Sequence, residues 1–438
     1  MAYLITKGQH YAILHYFRRK KAIVPTSANF IPFLPPDTEV IEKKDLNIHQ
    51  FKDEVFILDA SDDYDFLRSL KARGFKTYNG ELCELEDDRV STMLVFDKAK
   101  IPTPRWEFAE TFEELIRKVE GFRGEKIVVK GDKKIPSWGT LSGERDKVLE
   151  TLQRNEDLWG EEKNWIIQEF VEGYEISCEV YVCNGTPYVP LTNFTIETKT
   201  LLAGNTGVRT GGETNLIIPW YDTPFQIKLL ETTLRLMKVV PVQNTIYDIN
   251  YIVRGEQLYA LEITPRIGYP GTITFAHILY NNDLYYDDVI EGLFSGLECD
   301  VNGFGFGIKL TLPPYPFLEY STISKLKDKF EQDKELKEEI DTIPFLKGIK
   351  VLEEGIDDEM REVKIAWDGI YFSDMNWGKV GSAELGILNA FSIDPYKAIE
   401  MAYKEAEEYK SCIPLLQYRI LDEHMQERIN YFLEVMFK

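Results

Sequence analysis

The sequence predicts a multidomain α/β protein with a mostly parallel sheet near its N-terminus. Over the first hundred residues, short runs rich in β-branched and aromatic residues alternate with helical stretches, such as Gln9–Lys20 and Asp63–Ala72. Strand, turn and helix repeated in this order are typical of a parallel sheet covered by helices. The chain has 438 residues, which is more than one hydrophobic core usually holds. We therefore expect several domains.

Composition and charge exclude several classes of protein. Hydrophobic residues make up 44% and charged residues 28% of the chain, as in soluble globular proteins. The net charge of -22 disfavours binding to nucleic acid or to anionic membranes. No apolar stretch approaches 18 residues and the N-terminus does not resemble a signal peptide, so we expect a cytoplasmic protein.

The five cysteines include no CxxC pair, which argues against a disulfide framework or a zinc ribbon. The dinucleotide glycine motif is absent, so we expect no nicotinamide cofactor.

Two carboxylates, Asp248 and Glu262, lie on what look like adjacent strands of one hairpin. The polar stretch Arg254–Gln257 between the two β-rich runs is typical of a turn. Magnesium takes oxygen ligands and often shares them with nucleotide phosphates, so these acids and Thr264 form a candidate metal site. Arg266 then lies where a guanidinium can stabilise a phosphoryl group. The alternative is an exposed acidic hairpin without a ligand.

A second candidate region precedes this hairpin. Thr111 is the predicted cap of an amphipathic helix, and the following strand ends at Lys130, where a lysine can contact phosphate. The alternative for Lys130 is the solvent end of an edge strand. Gly173 marks a turn between two further strands, and Glu169 and Glu175 flank that turn.

The remaining segments predict a glycine-rich loop and an α+β C-terminal portion. Residues 198–215 are dense in Gly, Asn and Thr, which predicts a long functional or mobile loop. A strand is expected from about Val301, and a highly charged helix is expected near Ser324–Asp341. Asp394 as cap and Pro395 at the first helical position predict a final amphipathic helix.

Taken in order, several strings resemble motifs of the ATP-grasp superfamily and, within it, of the phosphoribosylamine–glycine ligase family. IVVKGD resembles the phosphate-contacting strand end, QEFVEGYEIS the adenine hinge, NTGVRTGG the GPNTGG loop and ALEITPRIGYPGT the EFNxRFGDPE metal motif. The resemblance implies an ATP-grasp fold with a Rossmann-like N-terminal domain and a C-terminal α+β domain. The implied domains are residues 1–105 (α/β pre-ATP-grasp), 106–175 (lid), 176–300 (core with metal site) and 301–438 (C-terminal α+β).

The resemblance also implies roles for individual residues. Catalytic residues are Arg266, Lys130 and Arg209. Nucleotide-binding residues are Arg89, Lys130, Glu169, Phe170, Val171, Glu175 and Lys199. Ligands to magnesium or manganese are Asp248, Glu262 and Thr264.

The sequence departs from the family pattern in the metal motif, in the phosphate loop and where the second substrate would be recognised. The second metal ligand, normally Asn, is Thr264, and the family's Asp-Pro-Glu is Tyr269-Pro270-Gly271. The glycine-rich phosphate loop is replaced by DKKIPSWG, in which Lys133 and Lys134 are alternative phosphate contacts. The Asn of GPNTGG is Arg209, and the tail element GGRV appears as residues 381–384 without its arginine. The nucleotide half of the resemblance is therefore firmer than the half that concerns phosphoribosylamine.

The implied function is an ATP-dependent carboxylate–amine ligase of purine biosynthesis that joins glycine or a small amino acid to an amine through an acyl phosphate. Its expected partners are small molecules only, and it is expected to be a monomer or a homodimer. Two alternatives stay open at this point: an ATP-grasp ligase with unrelated substrates, and a noncatalytic nucleotide-binding scaffold.

Overall fold

The structure, a computed structural model, describes two compact units. It describes all residues except 9, 29, 61–62, 132–139, 157–163, 313–314, 316–361, 368–369, 374–376, 381–383, 414 and 438. The first unit comprises residues 1–78, 197–219 and 267–429, and the second comprises 79–196, 220–266 and 430–438. The predicted division into four sequential domains stays a prediction.

The described residues contain both strands and helices throughout. In chain order the strands are β1 (Ala2–Ile5), β2 (Lys21–Val24), β3 (Glu39–Glu42), β4 (Val55–Leu58), β5 (Lys76–Tyr78), β6 (Trp106–Ala109), β7 (Lys126–Gly131), β8 (Thr140–Glu144), β9 (Trp165–Glu169), β10 (Tyr174–Cys183), β11 (Thr186–Pro187), β12 (Asn193–Leu202), β13 (Thr206–Pro219), β14 (Thr245–Arg254), β15 (Gln257–Ile263), β16 (Phe304–Thr311), β17 (Val363–Trp367), β18 (Ile370–Ser373), β19 (Trp377–Val380) and β20 (Glu384–Ser392). The α-helices are Tyr64–Ala72, Cys83–Asp87, Arg89–Lys98, Phe112–Gly121, Arg145–Arg154, Pro224–Val239, Gly271–Asn281, Tyr286–Leu293, Pro395–Cys412 and Glu423–Phe437. No helix among these is long and apolar enough to cross a membrane.

The first unit begins with the predicted parallel sheet. Its strand order is β3-β2-β1-β4-β5, and the pairings are parallel. Strands β1 and β4 are fully buried apolar runs, as expected for central strands of a parallel sheet. A second sheet in this unit has the order β13-β16-β20-β17, with antiparallel pairs on both sides of β16. The α/β fold class is confirmed.

The second unit contains a small sheet in the order β6-β9-β7-β8. Side chains alternate along its strands, so Ile127 and Val129 of β7 share one face with Trp165 and Ile167 of β9. That face packs on the helices Phe112–Gly121 and Arg145–Arg154 to form a hydrophobic core. Lys130 lies on the opposite face, on an inner strand rather than an edge strand.

The second unit also contains the strands that carry the predicted metal site. Here the strand order is β15-β14-β10-β12, of which residues 193–196 of β12 belong to this unit. The pairs β10–β14 and β14–β15 are antiparallel, and the β14–β15 hairpin turns at the predicted position. The adjacent-strand interpretation of Asp248 and Glu262 is therefore confirmed.

Several local predictions were right and others were wrong. Thr111 caps its helix by accepting the Glu114 N–H at 3.3 Å, and Asp394 caps the helix Pro395–Cys412. The predicted helix Gln9–Lys20 is only a 3-10 helix, Tyr11–Tyr16. The glycine-rich loop at 198–215 is instead mostly strand, with a short turn at residues 203–205 between β12 and β13. The predicted charged helix near Ser324–Asp341 lies outside the described residues.

Candidate nucleotide and metal site

The core sheet of the second unit has one apolar face and one polar face. On the apolar face Cys178 and Tyr251 pack beside Thr233 of the helix Pro224–Val239, and burial raises the pKa of both the thiol and the phenol. Both groups therefore stay neutral, as suits a hydrophobic core. The residues next to Cys178 and Tyr251 along their strands point to the other face of the sheet.

The register of the strands brings polar residues together on this second face. Asn250 of β14 pairs with Glu262 of β15, and Thr264 donates its backbone N–H to the Asp248 carbonyl at 2.8 Å. Side chains of directly paired residues lie on one face, with Cβ atoms about 4.5–5.5 Å apart. Asp248, Asn250, Glu262 and Thr264 thus form two adjacent cross-strand pairs.

A β-bulge in β15 determines this arrangement. The pairing shifts between Asn250–Glu262 and Tyr251–Ala260, so Leu261 is the extra residue. Bulges redirect side chains and are common beside active sites. Without the bulge, the register of the hairpin would place Glu262 opposite Ile249 on the apolar face, whereas the bulge places it opposite Asn250 on the polar face.

The polar face continues onto β10 and β12. Glu179 is paired with Asp248 and Ser177 with Asn250, and all four residues are buried. Asn193 of β12 donates from Nδ2 to Glu179 Oε1 at 3.1 Å. Asn250 and Glu179 were not predicted from the sequence. Once the strand register is known, the alternation of side chains along β10 and β14 places both on the same face as Asp248.

The four residues offer oxygen donors that fit a magnesium ion. Magnesium is usually bound by one or two carboxylates together with substrate phosphates and water. Asp248 and Glu262 supply the carboxylates, and Asn250 and Thr264 supply neutral oxygens. Within the described ranges no group of three His, Cys, Asp or Glu residues forms a metal-binding cluster. Two carboxylates with two neutral oxygens are a donor set that suits a metal shared with nucleotide phosphates.

Arg266 is held by a carboxylate that sequence reasoning did not identify. Its Nη2 lies 2.7 Å from Glu86 Oε1, and its Nε lies 3.0 Å from Oε2. The side chains of Arg266 and Glu86 are only 13% and 11% exposed. Burial acts to lower the pKa of Arg266, but the Glu86 carboxylate raises it above its usual value. The guanidinium therefore stays charged and fixed in orientation.

Arg89 connects the same region to the strand that ends at Lys130. It is the first residue of the helix Arg89–Lys98, whose cap Asp88 accepts the Ser91 N–H at 2.8 Å. Arg89 Nη1 donates to the carbonyl of Gly131, the residue after Lys130. The structure thus places the predicted phosphate contacts Arg89 and Lys130 beside each other.

The predicted adenine hinge lies at the turn between β9 and β10. Glu169 pairs with Ile127, so its side chain lies on the helix-covered face and away from the face of Lys130. Its carboxylate is 3.7 Å from Arg105 Nη2, and its N–H bonds the Arg105 carbonyl at 2.8 Å. Any contact of Glu169 with adenine on the Lys130 face is therefore through its carbonyl. Glu175 lies on the polar face of β10, since Ser177 and Glu179 follow it at intervals of two.

Lys199 and Arg209 belong to the first unit, on β12 and β13. Lys199 Nζ is 3.4 Å from Glu197 Oε2, and its carbonyl accepts the Thr210 hydroxyl at 3.2 Å. Arg209 is exposed. Gly212 is required by close packing, because a Cβ there would lie 2.7 Å from Glu197 Oε1 and 2.8 Å from Pro270 Cδ. Lys133, Lys134 and residues 381–383 lie outside the described residues.

Part of the chain is similar to a known domain family and to a curated relative. Residues 86–270 match the ATP-grasp domain family, and this range includes every predicted site residue. A curated relative, phosphoribosylamine–glycine ligase of Thermotoga maritima, is 29% identical over 243 residues, which are 53% of this chain. The matched region spans 59% of that relative.

Solved structures share the fold over nearly the whole chain. Phosphoribosylamine–glycine ligase of Thermotoga maritima superposes with a TM-score of 0.68 at 19% identity, covering 95% of this chain and 98% of that one. N5-carboxyaminoimidazole ribonucleotide synthetase of Thermus thermophilus gives 0.58 at 14% identity, covering 94% and 99%. The biotin carboxylase domain of Hydrogenobacter thermophilus 2-oxoglutarate carboxylase, in complex with MgADP, gives 0.63 at 10% identity, covering 93% and 89%. At these identities the likeness establishes the fold.

Proposed function

Because residues 86–270 match the ATP-grasp domain family, we propose that the chain is an ATP-dependent carboxylate–amine ligase that resembles phosphoribosylamine–glycine ligase. In this reaction the terminal phosphoryl group of ATP passes to a substrate carboxylate, which gives an acyl phosphate and ADP. An amine nitrogen then attacks the acyl carbon, the C–O bond to phosphate breaks, and an amide and inorganic phosphate are released. The main support is the polar face of Asp248, Asn250, Glu262 and Thr264 within the ATP-grasp region.

The nucleotide-binding roles follow from position. Lys130 and Arg89, joined through the Gly131 carbonyl, are suited to bind phosphates because both carry positive charge. The backbone of Glu169, Phe170 and Val171 is proposed to recognise adenine. Glu175, at the start of the polar face, is proposed to accept hydrogen bonds from the ribose hydroxyls.

Magnesium or manganese is proposed to bind at Asp248, Glu262 and Thr264, with Asn250 as a further oxygen donor. The family's second metal ligand is an Asn, and Thr264 has no amide oxygen. Asn250 supplies an amide oxygen next to Glu262, because the two residues are paired across the hairpin. When bound, such a metal neutralises charge on the phosphates during phosphoryl transfer. The protein residues hold their orientation through the strand pairing and the bulge.

Arg266 is proposed to stabilise the phosphoryl group and the oxyanion of the acyl phosphate. A guanidinium fixed by a nearly buried carboxylate needs little reorganisation as negative charge develops. Lys199 is proposed as a further nucleotide contact, and Arg209 as a catalytic cation that pairs with the substrate carboxylate.

Glycine and phosphoribosylamine are the first substrates to test, which would place the protein in purine biosynthesis. The second candidate is an ATP-grasp ligase with other substrates. It is favoured by Arg209, which replaces the family's Asn where the second substrate is recognised, and by Thr264, Tyr269 and Gly271, which replace residues of the family's metal motif. We further propose a cytoplasmic monomer or homodimer that acts only on small molecules.

The test is ADP formation in the presence of magnesium, glycine and freshly generated phosphoribosylamine, with the product mass measured. Parallel reactions replace glycine by each other amino acid or omit the amine. A glycinamide ribonucleotide mass that appears with ADP supports the first candidate. ADP with another amino acid, and without that product, supports the second. ADP formation under none of the conditions contradicts both.

A further inference from the structure

A groove of about 710 Å³ lies in the second unit beside the helix Pro224–Val239. This helix supplies more than half of the lining residues, and the rest come from Pro102 and from the turn and first residues of β15. The helix packs against the apolar face of the core sheet, where Thr233 meets Cys178 and Tyr251. The groove therefore lies mainly on the helix side of the sheet, away from the polar face that carries the metal ligands.

Three cations line this groove, and none of them forms an ion pair with a carboxylate in the part of the chain that the structure describes. Lys228, Arg235 and Lys238 are spaced by seven and three residues, which puts them along one side of the helix. Lys228 donates to the Glu256 carbonyl, and Arg235 donates to the Lys100 carbonyl at 3.3 Å and to the Thr232 hydroxyl at 3.1 Å. These carbonyl and hydroxyl oxygens accept hydrogen bonds from Lys228 and Arg235 but carry no negative charge that would neutralise the two cations.

The contrast with other cations of this unit is direct. Lys126 pairs with Glu172 at 2.8 Å, and Arg266 pairs with Glu86 at 2.7 Å. Glu231 and Glu256 also line the groove, but among the residues that the structure describes neither forms an ion pair with the three cations. With three cations and two carboxylates, the groove lining carries a net charge of +1 in a protein of net charge -22, which makes it a place that can attract an anion.

The walls of the groove define the rest of the ligand. Pro102, Leu234 and Leu258 are apolar, and a groove of this volume is in the range of small-molecule sites. We propose that the groove binds a small organic anion, in which a carboxylate or phosphate group meets the cations and an apolar body lies on these walls.

The test uses phenyl phosphate, phenylacetate and inorganic phosphate as probes, with binding measured by calorimetry. Saturating MgADP keeps the nucleotide site occupied. The variant is the double substitution Arg235→Gln and Lys238→Glu. The matched control is Lys147→Glu, because Lys147 is also on an exposed helix of this unit but pairs with Glu144 at 2.9 Å.

We expect saturable binding of phenyl phosphate or phenylacetate that weakens about tenfold in the double variant, or about 1.4 kcal/mol, and is unchanged in the control. Comparison of the two probes then identifies the preferred anionic group. The proposal is overturned if neither aromatic probe binds, or if the double variant, with a native circular dichroism spectrum, binds them as tightly as the native protein. Inorganic phosphate that binds as tightly as phenyl phosphate contradicts the role of the apolar walls.

Discussion

Removing the Glu86 carboxylate that pairs with Arg266 is expected to destabilise the second unit strongly. Glu86→Gln keeps the shape of the side chain but removes the carboxylate that pairs with the Arg266 guanidinium. Removing one partner of a fully buried pair costs about 3–5 kcal/mol. Because these side chains are still 11% and 13% exposed, water screens part of the charge, and we expect a loss of about 2–3 kcal/mol.

The assay is urea unfolding, and the control is another pair in the same unit. Glu169 and Arg105 lie 3.7 Å apart and are 43% and 48% exposed, so Glu169→Gln should cost less than about 1 kcal/mol. Glu86→Gln should also slow ADP formation, since Arg266 loses its fixed orientation. A free energy of unfolding for Glu86→Gln within about 0.5 kcal/mol of native would refute this reasoning.

Two further predictions concern the first unit. Gly212→Ala should lower the free energy of unfolding by about 1–3 kcal/mol, because the new Cβ would overlap Glu197 and Pro270. Gly211→Ala is the control and should be nearly neutral, because no atom lies within 4 Å of its Cβ. Thermal unfolding of both variants tests this prediction. Burial lowers the pKa of His277 to about 4. Below about pH 6.5 the folded state therefore binds fewer protons than the unfolded state, and the protein loses stability as the pH falls towards 4. Between pH 7.5 and pH 5 the loss should be about 2 kcal/mol, and a His277→Asn variant with an unchanged pH dependence would contradict it.

Alternating strand and helix patterns were enough to predict the α/β class and the parallel N-terminal sheet. The local caps at Thr111 and Asp394 were also predictable, because they depend on only three or four neighbouring residues. The segment at 198–215 was not, because glycine and threonine are common in loops. There Gly212 belongs to a strand that closely approaches Glu197 and Pro270, a contact between distant parts of the sequence.

The site was only partly predictable for a similar reason. The sequence placed Asp248 and Glu262 on neighbouring strands, and this was right. It did not reveal the bulge at Leu261, which shifts the register and pairs Glu262 with Asn250. Glu86 was missed because it lies 180 residues before Arg266, and only the folded chain brings the two together.

The most direct test of the proposed chemistry is capture of the acyl phosphate with hydroxylamine. The protein is incubated with ATP, magnesium, hydroxylamine and each amino acid in turn, and hydroxamate and ADP are both measured. The proposed function predicts equal amounts of hydroxamate and ADP with one carboxylate substrate, and loss of both in Glu262→Gln. ADP without hydroxamate for every amino acid, or turnover that Glu262→Gln leaves intact, would contradict it.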